Sequence, residues 1–208
     1  MVIVDMAARI SSGVRIITLD TGRLPTETYE IIETVRERYG IVVELVYPEA
    51  GELERMVALH GPNLFYGDPS LRMLCCHFRK VRPLERKLRD LDAWAVGLRW
   101  EQSDTRAETP RVDASVTPVK ISPLADWTRE QVDEYIRRYD VPRHPLYAKG
   151  YTSIGCAPCT RAVEPGESER AGRWWWESST PKECGIHFTP AGPRRELDVL
   201  IEEVLSGK

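Results

Sequence analysis

The hydrophobic positions in the first half of the chain switch between a helical and a strand-like period. Apolar residues recur at helical spacing over 3–10, so the chain is predicted to begin inside a helix. Strand-like segments are predicted at residues 14–19, 41–47 and 93–97, and helices at 26–39, 52–59 and 79–88. Strands and helices that alternate through short turns predict an α/β fold with a parallel sheet covered on both faces.

The second half of the chain has fewer regular segments. Residues 101–118 are polar and aperiodic, which predicts a long loop of the kind that closes over a site. Thr128 and Gln131 form a capping-box pattern that opens a helix through about residue 139. Aliphatic side chains share one face of residues 194–205, which predicts a short amphipathic helix. At least two of the tryptophans at 174–176 are expected to be partly buried.

Composition limits the class of protein. A chain of 208 residues that is 42% hydrophobic can bury one good core, so one domain with an appendage is expected. The net charge of −3 disfavours bulk nucleic-acid binding but leaves room for a basic pocket that binds an anionic small molecule. We find no cleavable targeting pattern, no apolar run long enough to cross a bilayer, and an odd number of cysteines, which argues against a disulfide framework. A cytoplasmic location is expected, without a membrane or nucleic-acid partner.

Four of the five cysteines form two pairs, which together match the number of thiols that a metal site needs. Cys75 and Cys76 are adjacent, and taken alone they are also typical of two small buried side chains. Cys156 and Cys159 form a Cys-x-x-Cys motif, which taken alone also suits a redox pair. Zinc is the alternative metal, but adjacent cysteines point apart, so a larger iron–sulfur cluster with separate iron corners is favoured. Lys80 either adds positive charge beside these thiolates or is a solvated helix lysine.

The fifth cysteine, Cys184, belongs to neither pair and is the candidate nucleophile. Lys182 precedes it and His187 follows it, and neighbouring cationic groups favour the thiolate that attacks electrophiles. The alternative is an incidental exposed cysteine. Arg170 and Arg173 add forked donors that suit phosphate or sulfate oxygens, although a solvated charged turn is the ordinary interpretation of such a pair.

The segment Leu-Asp-Thr-Gly-Arg at 19–23 is a candidate ligand site. It follows a predicted strand, and open α/β sheets bind ligands beyond the carboxyl ends of their strands. Gly22 permits a tight turn or a close approach of the backbone to a ligand. On its own, the segment is an ordinary strand-to-helix turn.

Five segments together resemble one family of enzymes. They are residues 19–23, 75–80, 151–161, 172–177 and 182–187. Their combination resembles the assimilatory sulfonucleotide reductases, which comprise adenylyl-sulfate and phosphoadenylyl-sulfate reductases. The resemblance runs from residue 1 to about residue 188. Within that family, the double cysteine together with the Cys-x-x-Cys motif marks the 4Fe–4S branch, which usually prefers adenylyl sulfate.

The resemblance implies a doubly wound, mostly parallel sheet of the adenine-nucleotide-hydrolase-like type. Residues 1–165 would form the sulfonucleotide-binding α/β domain with its iron–sulfur site, and residues 166–208 the C-terminal catalytic segment and terminal helix. The family places a strand and a Ser-Gly-Gly phosphate loop just upstream of the helix that begins here at Met1. We therefore expect an incomplete sheet and weak AMP binding, as in a fragment or an altered relative. The tail after His187 is expected to anchor or to shield the catalytic segment.

The resemblance also implies a mechanism. Cys184 would attack the sulfur of adenylyl sulfate, release AMP and carry an S-sulfocysteine, from which thioredoxin or a similar dithiol releases sulfite for cysteine biosynthesis. A non-redox 4Fe–4S cluster would lie on Cys75, Cys76, Cys156 and Cys159. The residues that handle the substrate would be Thr21, Gly22, Arg23 and Gly97 at the nucleotide, and Lys80, Arg106, Arg170, Arg173 and His187 at the sulfate and phosphate. The alternatives are phosphoadenylyl sulfate as the substrate, or a non-catalytic metal-binding remnant. A homo-oligomer is left open.

Overall fold

The fold is described from a computed structural model, which describes residues 1–11, 13–177, 183 and 194–207. The α-helices of these residues are α1 Val2–Ile10, α2 Thr26–Tyr39, α3 Ala50–His60, α4 Pro69–Cys76, α5 Arg82–Leu88, α6 Arg129–Tyr139 and α7 Arg194–Ser206. The strands are β1 Ile16–Leu19, β2 Val43–Val46, β3 Ala93–Ala95, β4 Val112–Asp113 and β5 Val119–Ile121. A π-helical turn, His77–Val81, joins α4 to α5. This element order confirms the predicted α/β class.

The strands form two short sheets over the described residues, where the sequence predicts one. β1 and β2 make up the first sheet, and the second has the order β3-β5-β4. β3 and β5 are parallel, with Trp94 opposite Lys120, as expected for an α/β fold. β4 is antiparallel to β5, and this return strand lies inside the segment that the sequence assigns to a long loop.

Helix α6 begins and helix α2 ends where the sequence predicts, because each of these termini is capped by residues that are close in sequence. The Thr128 hydroxyl accepts a hydrogen bond from the Gln131 amide at 3.2 Å, and the Gln131 side chain accepts one from the Thr128 amide at 2.8 Å. This is the reciprocal capping box that opens α6. Gly40 ends α2 in the left-handed conformation, with a φ of 67°, which a glycine adopts without strain.

The segment before the adjacent cysteines differs from the sequence prediction, which does not anticipate α4. The Asp68 carboxylate caps α4 by accepting hydrogen bonds from the amides of Ser70 and Leu71 at 2.7 and 3.0 Å. Pro69 occupies the first turn, where its missing N–H costs nothing. The helix is too short for its hydrophobic period to be recognised, and its continuation through the π-helical turn shifts that period again.

The chain divides into two compact units, each built from separate stretches of sequence. The first unit comprises residues 1–18, 23–44 and 88–175, and the second comprises residues 19–22, 45–87 and 176–208. Buried side chains of the first unit include Val35, Leu98, Leu124 and Trp174. Those of the second unit include Met56, Phe65, Leu74, Phe78 and Val204. The division at residue 165 that the family resemblance implies stays a prediction.

A buried carboxylate links three helices of the first unit. Asp5 in α1 is only 1% exposed. It accepts hydrogen bonds from Arg9 at 2.7 Å, from the Tyr39 hydroxyl of α2 at 3.0 Å and from the Tyr135 hydroxyl of α6 at 2.8 Å. Burial alone would raise the pKa of Asp5, but these three donors outweigh it and hold the pKa below its ordinary value. Burial and the bond to Asp5 raise the pKa of Tyr135 to about 12.

Within the part of the chain that the structure describes, no helix has the length and apolar character needed to span a membrane.

Replacement of Asp5 by asparagine is expected to lower the free energy of unfolding by about 2 kcal/mol at pH 7, since charged hydrogen bonds are lost at a buried site. The pKa of Asp5 is lowered by folding, so its contribution is present above the unfolded value of about 3.9 and is lost as the pH falls through the folded value. Urea unfolding of both proteins from pH 7 to pH 3 should therefore show a difference that shrinks below about pH 4.

The matched control is Asp140→Asn, because the Asp140 carboxylate is exposed although it also pairs with an arginine, Arg38. That variant should stay within about 0.5 kcal/mol of the parent. Equal effects of the two substitutions would contradict the role given to Asp5.

Candidate active site

The first pair of candidate ligands lies at the end of α4, in the second unit. Cys75 and Cys76 are the last two residues of the helix, and both are buried. Neither forms a disulfide. The π-helical turn that follows contains Arg79 and Lys80, which are also buried. Single π-helical turns inside α-helices are frequent at functional sites.

The second pair lies in a tight loop of the first unit. Cys156 precedes a short 3-10 helix, Ala157–Cys159, and the amide of Cys159 donates to the carbonyl of Cys156 at 3.0 Å. The Thr160 hydroxyl donates to the same carbonyl at 3.0 Å, and the Trp174 amide donates to the Cys159 carbonyl at 3.2 Å. Both cysteines are buried, and neither forms a disulfide. The loop therefore has a defined shape that its own backbone and residues 173–174 enforce.

The two pairs supply the donor set that a metal or iron–sulfur site requires. Four buried thiols that are not oxidised to disulfides suit iron or zinc, which prefer thiolate ligands. Among the described residues, however, no group of three or more cysteine, histidine or carboxylate side chains is placed to hold one metal ion. The pairs belong to different units. A single site formed by all four cysteines therefore stays a prediction.

Arg173, which the resemblance assigns to the substrate, is packed against the Cys156–Cys159 loop. Arg173 is only 5% exposed. Its guanidinium donates to the Ile154 carbonyl at 3.2 Å and lies 4.5 Å from the centre of the Trp174 ring. A Cβ atom added to Gly155 would lie 2.4 Å from a terminal nitrogen of this guanidinium. The arginine thus fills the space that any side chain at residue 155 would need. Its role as a substrate ligand stays a prediction.

The turn at 19–23 has the close-packed backbone that its glycine suggests. The Asp20 carboxylate accepts from the Gly22 amide at 2.8 Å, and Gly22 has a φ of +70°. Arg79 donates to the Thr21 carbonyl at 2.6 Å and lies 3.5 Å from where a Cβ of Gly22 would be. A larger residue at 22 would be strained by its φ. Arg79 therefore holds the turn inside the second unit.

Arg79 is a functional candidate that sequence reasoning missed. It lies beside Lys80 in the motif shared with the family, but a charged residue in a helix is ordinarily interpreted as solvated. Only the structure shows that its guanidinium is buried and bonded to a distant carbonyl. Lys80 is likewise buried, so the solvated alternative for that lysine is wrong.

The other candidate residues fall at separate places in the first unit. The carbonyl of Arg23 accepts a hydrogen bond from the Ala157 amide at 2.8 Å, which brings Arg23 to the Cys156–Cys159 loop. Arg106 donates to the Gln102 side chain. Arg170 donates to the Ser153 hydroxyl at 3.3 Å. Of the predicted residues at the end of the chain, Lys182, Cys184 and His187 lie outside the described residues.

Gly97 lines a cavity of about 710 Å³ within the first unit. Ile16 of β1 and Trp94 of β3 supply part of its apolar wall. Arg99 and Glu169 supply charge at this wall and form an ion pair at 3.2 Å. The volume falls in the range of small-molecule sites, which are mostly apolar with a few polar groups that fix orientation. Neither member of the ion pair was singled out from the sequence, because nothing in the pattern relates two positions so far apart.

Reductases of adenylyl sulfate or phosphoadenylyl sulfate are found among the matches of each comparison. Residues 1–162 match the model of a family described as the phosphoadenosine phosphosulfate reductase domain. A protein of Burkholderia cepacia named adenosine 5'-phosphosulfate reductase is 52% identical over 190 residues, which are 89% of this chain and 76% of that protein. A protein of the same name from Allochromatium vinosum is 48% identical over 94% of this chain and 77% of its own length.

A solved structure is similar as well. The crystal structure of phosphoadenylyl-sulfate reductase from Candida auris, a phosphate complex, superposes with a TM-score of 0.62 at 28% identity. The match covers 78% of this chain and 77% of that one. The adenine-nucleotide-hydrolase-like type of α/β fold that the resemblance implies is thereby confirmed.

The packing of Arg173 on the loop gives a testable consequence. Gly155→Ala should lower the free energy of unfolding by about 1–3 kcal/mol, since the added methyl group has to displace a buried guanidinium. Gly97→Ala is the matched control, because its Cβ would meet only Ile3, at 3.8 Å. Chemical denaturation of the two variants should separate them. A stable Gly155→Ala protein would show that the guanidinium moves freely and does not support the loop.

Proposed function

Since the chain belongs to the phosphoadenosine phosphosulfate reductase domain family, we propose that it reduces adenylyl sulfate to sulfite and AMP. The chain is then an oxidoreductase that acts on a sulfur group in sulfate assimilation. The observation that carries this proposal is the high identity, over most of the chain, to the two bacterial proteins named adenosine 5'-phosphosulfate reductase. Their name supports adenylyl sulfate over its 3'-phosphorylated relative, and the less similar Candida protein carries the other name.

The first chemical step uses the thiolate of Cys184. Its sulfur attacks the sulfur atom of the sulfate group, and a sulfur–sulfur bond forms as the bond from that sulfur to the bridging oxygen breaks. AMP leaves with the bonding electron pair on its phosphate oxygen, and the enzyme retains an S-sulfocysteine. Cationic donors near the sulfate and the phosphate lower the activation free energy, because they stabilise the negative charge that develops on the leaving phosphate oxygen.

The second step needs two thiols from a reductant such as thioredoxin. One thiolate attacks the sulfur of Cys184, and sulfite leaves with the electron pair of the sulfur–sulfur bond, as in thiol–disulfide exchange. The second thiol of the reductant then releases Cys184 and closes a disulfide. The reductant loses two electrons, which is the number that converts the sulfate sulfur to sulfite.

The four described cysteines are proposed to hold a 4Fe–4S cluster. Cys75 and Cys76 at the end of α4, and Cys156 and Cys159 in the tight loop, are the buried thiols that such a cluster takes as ligands. Because the dithiol already provides both electrons, the cluster is not needed as a redox group. When bound, it would supply fixed charge near the substrate.

The remaining side chains bind and orient the substrate in this proposal. The ordered turn that Arg79 supports, with Thr21 and Gly22, and the cavity wall at Gly97 would receive the nucleotide. Arg23 would join them through its bond to the Cys156–Cys159 loop. The basic groups proposed to contact the sulfate and phosphate are Lys80, Arg106, Arg170, Arg173 and His187.

Anaerobically purified protein is expected to be brown and to contain four iron atoms and four labile sulfides on Cys75, Cys76, Cys156 and Cys159, as the composition of a 4Fe–4S cluster requires. Cys156→Ser should lose most of this iron and should also unfold more easily, because the binding free energy of a metal group is linked to folding. Cys184→Ser is the matched control and should keep the colour. Stoichiometric zinc without labile sulfide would contradict the cluster.

Incubation with adenylyl sulfate is expected to leave a sulfite-sized adduct on Cys184, located by peptide mass spectrometry and removed by reduced thioredoxin. Cys184→Ser should bind AMP as the parent does and form no adduct. The value of kcat/KM should be higher for adenylyl sulfate than for the 3'-phosphorylated compound. An adduct on Cys156 or Cys159 in place of Cys184 would overturn the assignment of ligands and nucleophile.

A further inference from the structure

Arg72 is a buried arginine of α4 that no part of the proposed chemistry uses. It is only 2% exposed. Its Nε atom donates to the Glu177 carboxylate at 2.7 Å, and one terminal nitrogen donates to the Glu183 carbonyl at 3.2 Å. Both partners are buried and belong to the second unit, as Arg72 does. One side chain therefore binds two points of the C-terminal segment.

The energetics of this contact argue for a role beyond stability. A buried ion pair costs several kcal/mol per ion in desolvation, so apolar side chains of similar volume often stabilise a fold equally well. The partners of Arg72 are also 105 and 111 residues away in sequence, so the contact orders a long-range connection. A guanidinium is suited to this task because its donors lie in one rigid plane and bind two acceptors in fixed directions.

The position of the bonded carbonyl in the sequence indicates what this contact does. The carbonyl of Glu183 belongs to the peptide bond whose nitrogen is that of Cys184. Arg72 lies in the same helix that ends at Cys75 and Cys76. The guanidinium thus connects the helix of the first cysteine pair directly to the peptide group that precedes the proposed nucleophile.

Two further contacts hold α7, which follows Cys184 in the sequence. The Ser70 hydroxyl, also in α4, donates to the Glu196 carboxylate of α7 at 3.0 Å. Arg55 of α3 donates to the carbonyl of Val204, whose side chain is fully buried. Glu183, before residues 184–193, is therefore bonded to α4, and α7, after them, is bonded to both α3 and α4.

We infer that Arg72 is a positioning residue for Cys184, which it acts on through the Glu183 carbonyl; this inference rests on the proposed function. Attack on a sulfate sulfur requires the reacting atoms to meet at about 3–3.5 Å in line with the leaving oxygen, and a misplacement of about 1 Å costs on the order of 100-fold in rate. Loss of Arg72 should therefore slow the attack itself, while substrate binding and the chemical reactivity of the thiol are retained.

The experiment compares four variants with the parent protein in its metal-loaded form. Arg72→Met removes both hydrogen bonds. Arg72→Met with Glu177→Met replaces both members of the buried ion pair by apolar side chains, so it guards against a loss of folding. Arg72→Lys keeps the charge and N–H donors but loses the rigid planar arrangement of the guanidinium. Arg82→Met is the matched control, because Arg82 forms an ion pair with Glu52 elsewhere in the second unit.

The measured quantities are the single-turnover rate of adduct formation on Cys184, KM for adenylyl sulfate, and the rate of Cys184 alkylation by iodoacetamide. We expect Arg72→Met and the double variant to form the adduct about 10- to 100-fold more slowly, with KM and alkylation within about threefold of the parent. Arg72→Lys should recover part of the rate, and Arg82→Met should match the parent. The double variant should be as stable as the parent and should still form the adduct slowly.

Several results would overturn the inference. The first is an adduct rate in the double variant equal to that of Arg82→Met, which would make the contact purely structural. The second is a rise in KM while the rate of adduct formation is unchanged, which would place the effect on substrate binding. The third is a rate of alkylation that falls together with the rate of adduct formation, which would place the effect on the reactivity of the thiol itself. A parent protein that forms no adduct would remove the proposed function and this inference together, whereas an active parent matched by its Arg72 variants would remove this inference alone.

Discussion

Backbone carbonyls in irregular segments need hydrogen-bond donors, and in this protein buried arginines supply several of them. Segments outside helices and sheets have no ladder to satisfy their carbonyls, and an unsatisfied buried carbonyl is costly. Arg79 donates to Thr21 and Arg72 to Glu183 in the second unit, and Arg173 donates to Ile154 in the first. Each of these carbonyls lies in or beside a motif shared with the reductase family. The guanidinium groups therefore give non-repetitive backbone the rigidity that catalytic geometry requires.

The sequence predicts those parts of the fold that depend on neighbouring residues. The capping box of α6 and the glycine that ends α2 are local interactions, and the structure has both. Helix α4 was missed because its start depends on one aspartate and its end runs into a π-helical turn. The short antiparallel strand β4 depends on a partner that no local pattern identifies.

The candidate site shows the same division between local and distant information. Spacing singled out Cys75, Cys76, Cys156 and Cys159 as candidate ligands, because the members of each pair are close in sequence. It did not identify Arg72 or Arg79, whose partners lie 111 and 58 residues away. The family resemblance assigns Arg173 to the substrate, which stays a prediction, and the structure shows this side chain filling the space above Gly155. A cationic residue that would suit an anion can thus also pack against the loop that carries Cys156 and Cys159.

The contact between Gly155 and Arg173 also limits how this protein can diverge. Because the guanidinium occupies the volume that a Cβ at residue 155 would fill, a change at either position alters what the other tolerates. Contacting positions do not accumulate substitutions independently, since the effect of one depends on the side chain present at the other. Homologous sequences with a residue larger than glycine at 155 should therefore carry a shorter side chain at 173. Positions 155 and 173 would then vary as a pair during evolution.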